Sequence, residues 1–171
     1  MDKAKGLAAL RILLGAGFLY AGLEKVFDFA GSGKAFSAGG FLQFGTNGSL
    51  PGSDPKTIVN PTHDLWVSIA GNPGLVAVIN MLVVAGEVAI GAALIVGFAT
   101  RFAGVMGALL MGFITVAAWS FALGPVNETV LYAAVAAYVA YAHAGIAYGL
   151  DAILEKSEIV TRRPALSLLL G

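Results

Sequence analysis

The sequence predicts an all-α integral membrane protein: a four-transmembrane-helix antiparallel bundle with a long outer loop between its first two helices. Three observations predict it. The 171 residues are 58% hydrophobic and 12% charged, with a mean hydropathy of +0.84, where a soluble domain carries about 25% charged residues. Four apolar runs reach the roughly 20 residues a helix needs to cross a bilayer. Two of the links between them are a few residues long, which forces neighbouring helices to run in opposite directions. The length suits one membrane domain, residues 1–171.

Span one is residues 6–27, with Arg11 inside one end and Glu24 and Lys25 at the other. Lys3 and Lys5 followed by an apolar stretch resemble a signal peptide, but no small-residue cleavage site follows, so it is read as a retained helix. The outer loop, 28–73, is rich in Gly and Pro yet carries apolar residues throughout, among them Phe29, Phe36, Phe41, Leu42, Phe44, Leu50 and Trp66. A disordered linker lacks such residues, so the loop is expected to fold back on the outer mouth of the bundle. Asn60-Pro61 signals a short interfacial helix over 62–70, with Asn60 as cap and Trp66 at headgroup level.

Span two is 74–100 and span three 102–123, separated by the Thr100-Arg101 link. Gly124-Pro125 ends span three, and span four is 129–150. Spans three and four contain no Asp, Glu, Lys or Arg. Small residues recur on every span, a spacing that lets helix backbones approach closely in lipid. The tail, 151–171, begins as a charged extension of span four. It ends in an apolar stretch, 165–170, expected to lie on the membrane or against a partner subunit.

Lys and Arg set the orientation. Lys3, Lys5, Arg11, Arg101, Lys156, Arg162 and Arg163 fall on one side, while Lys25, Lys34 and Lys56 fall on the other. The expected protein is a multi-pass cell-membrane protein with both termini in the cytoplasm.

Glu87 is the one charged residue between Asp64 and Arg101. It lies about 20 Å along its helix from either end of span two. A carboxylate at that depth costs roughly 2.5–3.5 kcal/mol on insertion scales, so it needs a partner, a proton or a task. Arg11 is the favoured partner, because its guanidinium presents a planar fork to a carboxylate at any depth. Lys25 is the second choice, and Arg101 is too far along Glu87's own helix. A pair that only locks two helices remains an equal reading. On span four, Tyr138 and Tyr141 share a face and His143 lies near the inner end. An imidazole with phenols nearby suits hydrogen bonds to quinone carbonyls and proton transfer, although a membrane histidine more often bonds a neighbouring helix.

Composition excludes several classes. With no cysteine, disulfides, thiolate metal sites and cysteine redox chemistry are ruled out within the chain. No haem, flavin, metal, phosphate-loop or dinucleotide motif is recognisable. His63 and His143 belong to opposite sides of the membrane, and a net charge of zero gives no footprint for nucleic acid.

The order of motifs resembles the DoxX/DoxD family. Arg11-x-x-x-Gly15 followed by Phe18-Leu-Tyr-Ala-Gly-Leu-Glu-Lys25 is similar to that family's first helix. Gly39-Gly-Phe-Leu42 and Gly45-Thr-Asn-Gly-Ser-Leu-Pro51 resemble the outer loop of the DoxD branch. Gly86-Glu87-x-x-x-Gly91-x-x-Leu94-x-x-Gly97-x-x-Thr100-Arg101 resembles the second helix and its turn. The resemblance implies a four-helix subunit of a thiosulfate:quinone oxidoreductase, with quinone as a substrate and a DoxA-like partner or a larger respiratory complex around it. In that reading Lys25 attracts the anion, Arg11 and Glu87 form the buried polar pair, and His143 with Tyr141 serves the quinone. The rival expectation is a non-catalytic accessory subunit of a respiratory assembly, and a weaker one is a small transporter dependent on Glu87.

Overall fold

A computed structural model describes residues 2–48, 59–120, 126–162 and 164–171. Ser49 to Pro51 of the loop motif, Lys56, the Gly124-Pro125 turn and Arg163 lie outside them. The described residues are all helix, turn and loop. Three helices are long and apolar enough to cross a membrane: α1 (Lys3–Phe27), α4 (Pro73–Val96) and α5 (Thr100–Ala117). A shorter apolar helix, α6 (Glu128–Tyr141), follows. The arrangement is that of a helical membrane bundle.

Local sequence explains most helix ends. Asn72 accepts hydrogen bonds from the Gly74 and Leu75 amides, and Pro73 occupies the first turn of α4, where its missing N–H costs nothing. Gly97, at φ 72°, stops α4 in the left-handed conformation that glycine adopts freely. Asn127 caps α6 by accepting from the Val130 amide.

The helices pack as two close pairs, α1 on α4 and α5 on α6, with α4 also touching α5. Gly15 lies against Gly91, Leu94 and Ile95, while Gly22 lies against Val88 and Glu87. As the number rises on α1 it falls on α4, so the two run in opposite directions. Gly104 against Ala136 and Ala140 and the Thr115–Thr129 hydroxyl contact, 2.8 Å, give the second pair the same sense. Leu14, Phe18, Ile90, Leu94, Ala103, Ala136, Val139 and Ala144 form the core between the pairs.

The described part of the loop over 28–73 folds onto the bundle. Ser37 opens a three-residue helix, α2 (Ala38–Gly40), which runs into a π-helical turn, Phe41–Gly45. The helix expected over 62–70 is α3 (His63–Ala70). Asn60 is buried and clamps this layer to α5: its amide donates to the Val116 and Ala117 carbonyls, 3.3 and 2.8 Å, at the helix end where carbonyls lack partners. Its Oδ1 accepts from the Thr62 amide and hydroxyl. Buried Thr46 donates to the Leu42 carbonyl and contacts His63 Nδ1 at 2.9 Å.

One expectation is corrected here. Span four was expected as helix to residue 150, but α6 ends at Tyr141 and turns occupy 142–150. Its 14 residues reach about 21 Å, short of the roughly 30 Å hydrocarbon layer. Just past the helix end His143 takes a left-handed φ of 51°, Tyr148 follows at 55°, and the carbonyls of Ala144, Ala147 and Tyr148 accept from Arg11. At the end of the tail Leu170 and Gly171 are buried, and the Leu169 carbonyl accepts from the Phe102 amide at 3.2 Å. Leu168 and Leu169 stay exposed.

Candidate functional site

Glu87 faces the α1–α4 interface and its partner is Lys25, not Arg11. Lys25 Nζ lies 2.8 Å from Oε2 and 3.1 Å from Oε1, donating a hydrogen bond to Oε1 and another to the Ala21 carbonyl. Oε2 is buried and accepts no hydrogen bond of acceptable geometry. The Lys25 and Glu87 side chains are 19% and 4% exposed. The opposed run of the helices decides the pairing. It sets Gly22 and Lys25 beside Glu87 and leaves Arg11 beside Gly97, at the far end of the bundle. Gly22 makes the approach possible, since a Cβ there would meet Val88 and the Glu87 Cβ. On the loop side Lys25 Nζ sits 5.4 Å from the centre of the Phe36 ring, a favourable contact for a cation.

Arg11 anchors a second polar centre. It is fully buried, with Nη1 donating to the Ala144 and Ala147 carbonyls, 2.8 and 3.2 Å, and Nη2 to the Tyr148 carbonyl, 3.4 Å. A cation suits the carbonyl-rich end of α6. Asp151, which sequence reasoning placed in a solvated extension, is fully buried beside it. Its carboxylate accepts from the amides of Ala99, Thr100 and Gly171 at 2.7, 2.9 and 3.2 Å, and its own amide donates to the Gly97 carbonyl at 2.8 Å. An acid at the start of α5 compensates amides that have no helical partner. It also holds Ala99 at φ 46°, a strained value for a residue with a side chain. One signal marked Asp151: it follows Gly145 and Gly149 as the sole acid between Glu128 and Glu155. A Cβ on Gly145 would strike the Asp151 carboxylate, the Thr100 hydroxyl and the Gly171 carbonyl.

His143 and Tyr141, expected to serve a quinone from within the bundle, are both exposed, Tyr141 at 81%. A ligand on them is open to the surroundings of the helices. The structure instead presents an apolar groove of about 590 Å³ between α4 and α5, lined by Gly86, Ala93, Phe98, Phe102, Met106 and Leu150 among others. Neither Tyr141 nor His143 lines it. Among the described residues, no group of three or more His, Asp or Glu side chains has a metal-holding arrangement.

Asp28 fastens the start of the outer loop. Its carboxylate accepts from the Ser32 and Gly33 amides at 2.9 and 2.6 Å. The Ser32 amide above all, then its hydroxyl and the Gly33 amide, hold the carboxyl below its usual range. A depressed acid contributes order above its unfolded pKa and loses it as pH falls through the folded one. Amide protection at Ser32 and Gly33 is therefore expected to hold at about pH 6, to weaken as pH falls below the ordinary aspartate value of about 3.9, and to be lost through the lower folded value. Hydrogen exchange at the two amides checks this, and protection that persists at about pH 2 would show that the carboxylate is not what holds the turn.

Residues 6–123, more than half of the chain, match the family model described as DoxX. No curated protein matches the chain, and no solved structure does. The match takes in α1, the loop layer, α4 and α5, and so both partners of the buried Lys25–Glu87 pair: the chain belongs to the DoxX family.

Proposed function

We propose that the chain is the membrane subunit of a DoxD-type thiosulfate:quinone oxidoreductase. In this reading the α6 segment is the fourth crossing of an antiparallel bundle, the termini and the Arg101 turn are cytoplasmic, and the loop layer faces outward. The observation that carries the proposal is the Lys25–Glu87 pair under Phe36, a cation only partly shielded from the loop side and set inside a bundle otherwise poor in charge. Two thiosulfate ions that approach Lys25 from that side give up one electron each and join through a new sulfur–sulfur bond as tetrathionate. A quinone accepts the two electrons with two protons to become the quinol. The α4–α5 groove suits the apolar ring and tail, and the exposed His143 imidazole and Tyr141 phenol supply hydrogen-bonding groups for a quinone's carbonyls. The chain has no cysteine to hold electrons, so they pass between the substrates or through a DoxA-like partner.

The test is thiosulfate-dependent reduction of a short-chain quinone by protein purified with every subunit that accompanies it. Lys25→Gln is expected to lower kcat/KM by at least about tenfold, the equivalent of one charge-assisted hydrogen bond of about 1.5 kcal/mol. No reduction by the complete preparation overturns the assignment.

A second reading, an accessory subunit of a respiratory complex, is favoured by the way Arg11 and Asp151 spend their hydrogen bonds on backbone groups, which is what a structural role requires. Purification in mild detergent separates the two readings: an accessory subunit co-purifies with its complex and adds nothing to thiosulfate turnover.

A further inference from the structure

The segment from Asp28 to Ala38 is fastened at both ends. Asp28 holds one end through Ser32 and Gly33. At the other, the Ala38 amide donates to Asn80 Oδ1 at 2.7 Å, and Asn80 lies seven residues, about two turns, before Glu87 on the same helix. Between the two fastenings Phe36 covers Lys25. The strap encloses a pair that is neutral as a whole and that has one carboxylate oxygen without a hydrogen bond.

We propose that this pair is a proton-exchange site: a small oxyanion that reaches Lys25 beneath Phe36 replaces Glu87 as its counter-ion, and Glu87 takes up one proton from solvent. The inference rests on the thiosulfate reading of the same site. The exchange balances. The Lys25–Glu87 contact breaks, a Lys25–anion contact forms, and the arriving proton bonds to Glu87 Oε2. Its driving force is the cost of excess negative charge in a poorly solvated place. Thiosulfate and sulfate each carry two charges, so entry without a proton would leave the site at minus two, while protonation of Glu87 halves that excess, and uncompensated buried charge is strongly disfavoured. The charged groups acting on Glu87 are Lys25 and Glu24, both on α1. From the other elements packed on α4, α3 brings His63, which is engaged with Thr46, and Asp64, α5 carries no acid or base beyond Arg101 at its first turn, and the strap's own cation is the exposed Lys34.

The experiment is calorimetric titration of the full chain in detergent with thiosulfate, and with sulfate as an anion that is not oxidised, in buffers of differing ionisation heat. The expected result is uptake of about one proton per anion and an affinity that falls about tenfold per unit rise in pH. Glu87→Gln, a neutral mimic of the protonated acid, is expected to bind the anion with no proton uptake and no pH dependence, and Lys25→Gln to bind none. The proton count is read on the unmodified protein, so misfolding of a variant does not decide the matter. Anion binding with no proton taken up overturns the exchange, while thiosulfate turnover in that same preparation would leave the oxidoreductase reading standing. One proton taken up, with no quinone reduced by the preparation that holds every accompanying subunit, supports the exchange and overturns that reading. No anion bound overturns both.

Discussion

Arg11→Met is expected to lower the unfolding free energy of the detergent-solubilised protein by about 3–5 kcal/mol, the cost of removing one partner from a buried charged network. Three carbonyls, those of Ala144, Ala147 and Tyr148, lose their donor at once. Asp151, fully buried, loses the cation nearest to it. These carbonyls belong to a stretch that has left helical geometry, so their own helix supplies no replacement amides. Arg11→Lys keeps the charge but not the fork, and should fall between the two because one ammonium cannot serve carbonyls spread over a turn. Thermal and denaturant unfolding followed by circular dichroism measure both. A methionine variant within about 1 kcal/mol of the parent, the ordinary size of an unremarkable substitution, would refute a central role for this knot.

Gly91→Ala should be nearly as damaging, for a reason of shape. A Cβ at Gly91 would run into the Leu19 backbone on α1. Backbone cannot rotate away as a side chain can, so the helices must part, and overpacking of this kind costs about 1–3 kcal/mol or more. The separation also pulls at the Lys25–Glu87 pair one turn away. Gly86→Ala is the matched control: nothing lies within 4 Å of its Cβ position, so the better helix propensity of alanine should leave stability unchanged or raise it by up to about 1 kcal/mol. Equal loss in both variants would mean that helix flexibility, rather than close approach, is what glycine supplies here.

The long apolar helices were legible because hydropathy and length report on the bilayer directly. Glu87 was legible as a residue facing the interior, since lipid offers a carboxylate no partner. Its choice of Lys25 was not, because span limits uncertain by a few residues leave the relative slide of two helices undetermined, and a few residues separate Lys25 from Arg11 as candidate. The end of α6 was hidden too. Residues 142–150 are mostly apolar, and the guanidinium that bonds their carbonyls comes from the other end of the chain. Asp151 read as solvated because its place depends on three amides brought together by the α4–α5 turn and the tail. Asn60 was read as the cap of the loop helix, but Thr62 holds that position and Asn60 instead ties the loop layer to α5, a tertiary contact that no local pattern encodes.

The position of Arg11 bears on how the protein is made. The first helix leaves the ribosome carrying two cations meant for the bundle interior. Lys25 must wait for α4 before Glu87 arrives, and Arg11 must wait until residues 144–148, almost the whole chain, have been synthesised. Until then each cation in the lipid costs roughly 2.5–3.5 kcal/mol, and a nascent or truncated chain displays them. An incompletely built copy is therefore chemically distinguishable from a finished one, which gives membrane insertases and proteases a ready criterion for what to hold and what to discard.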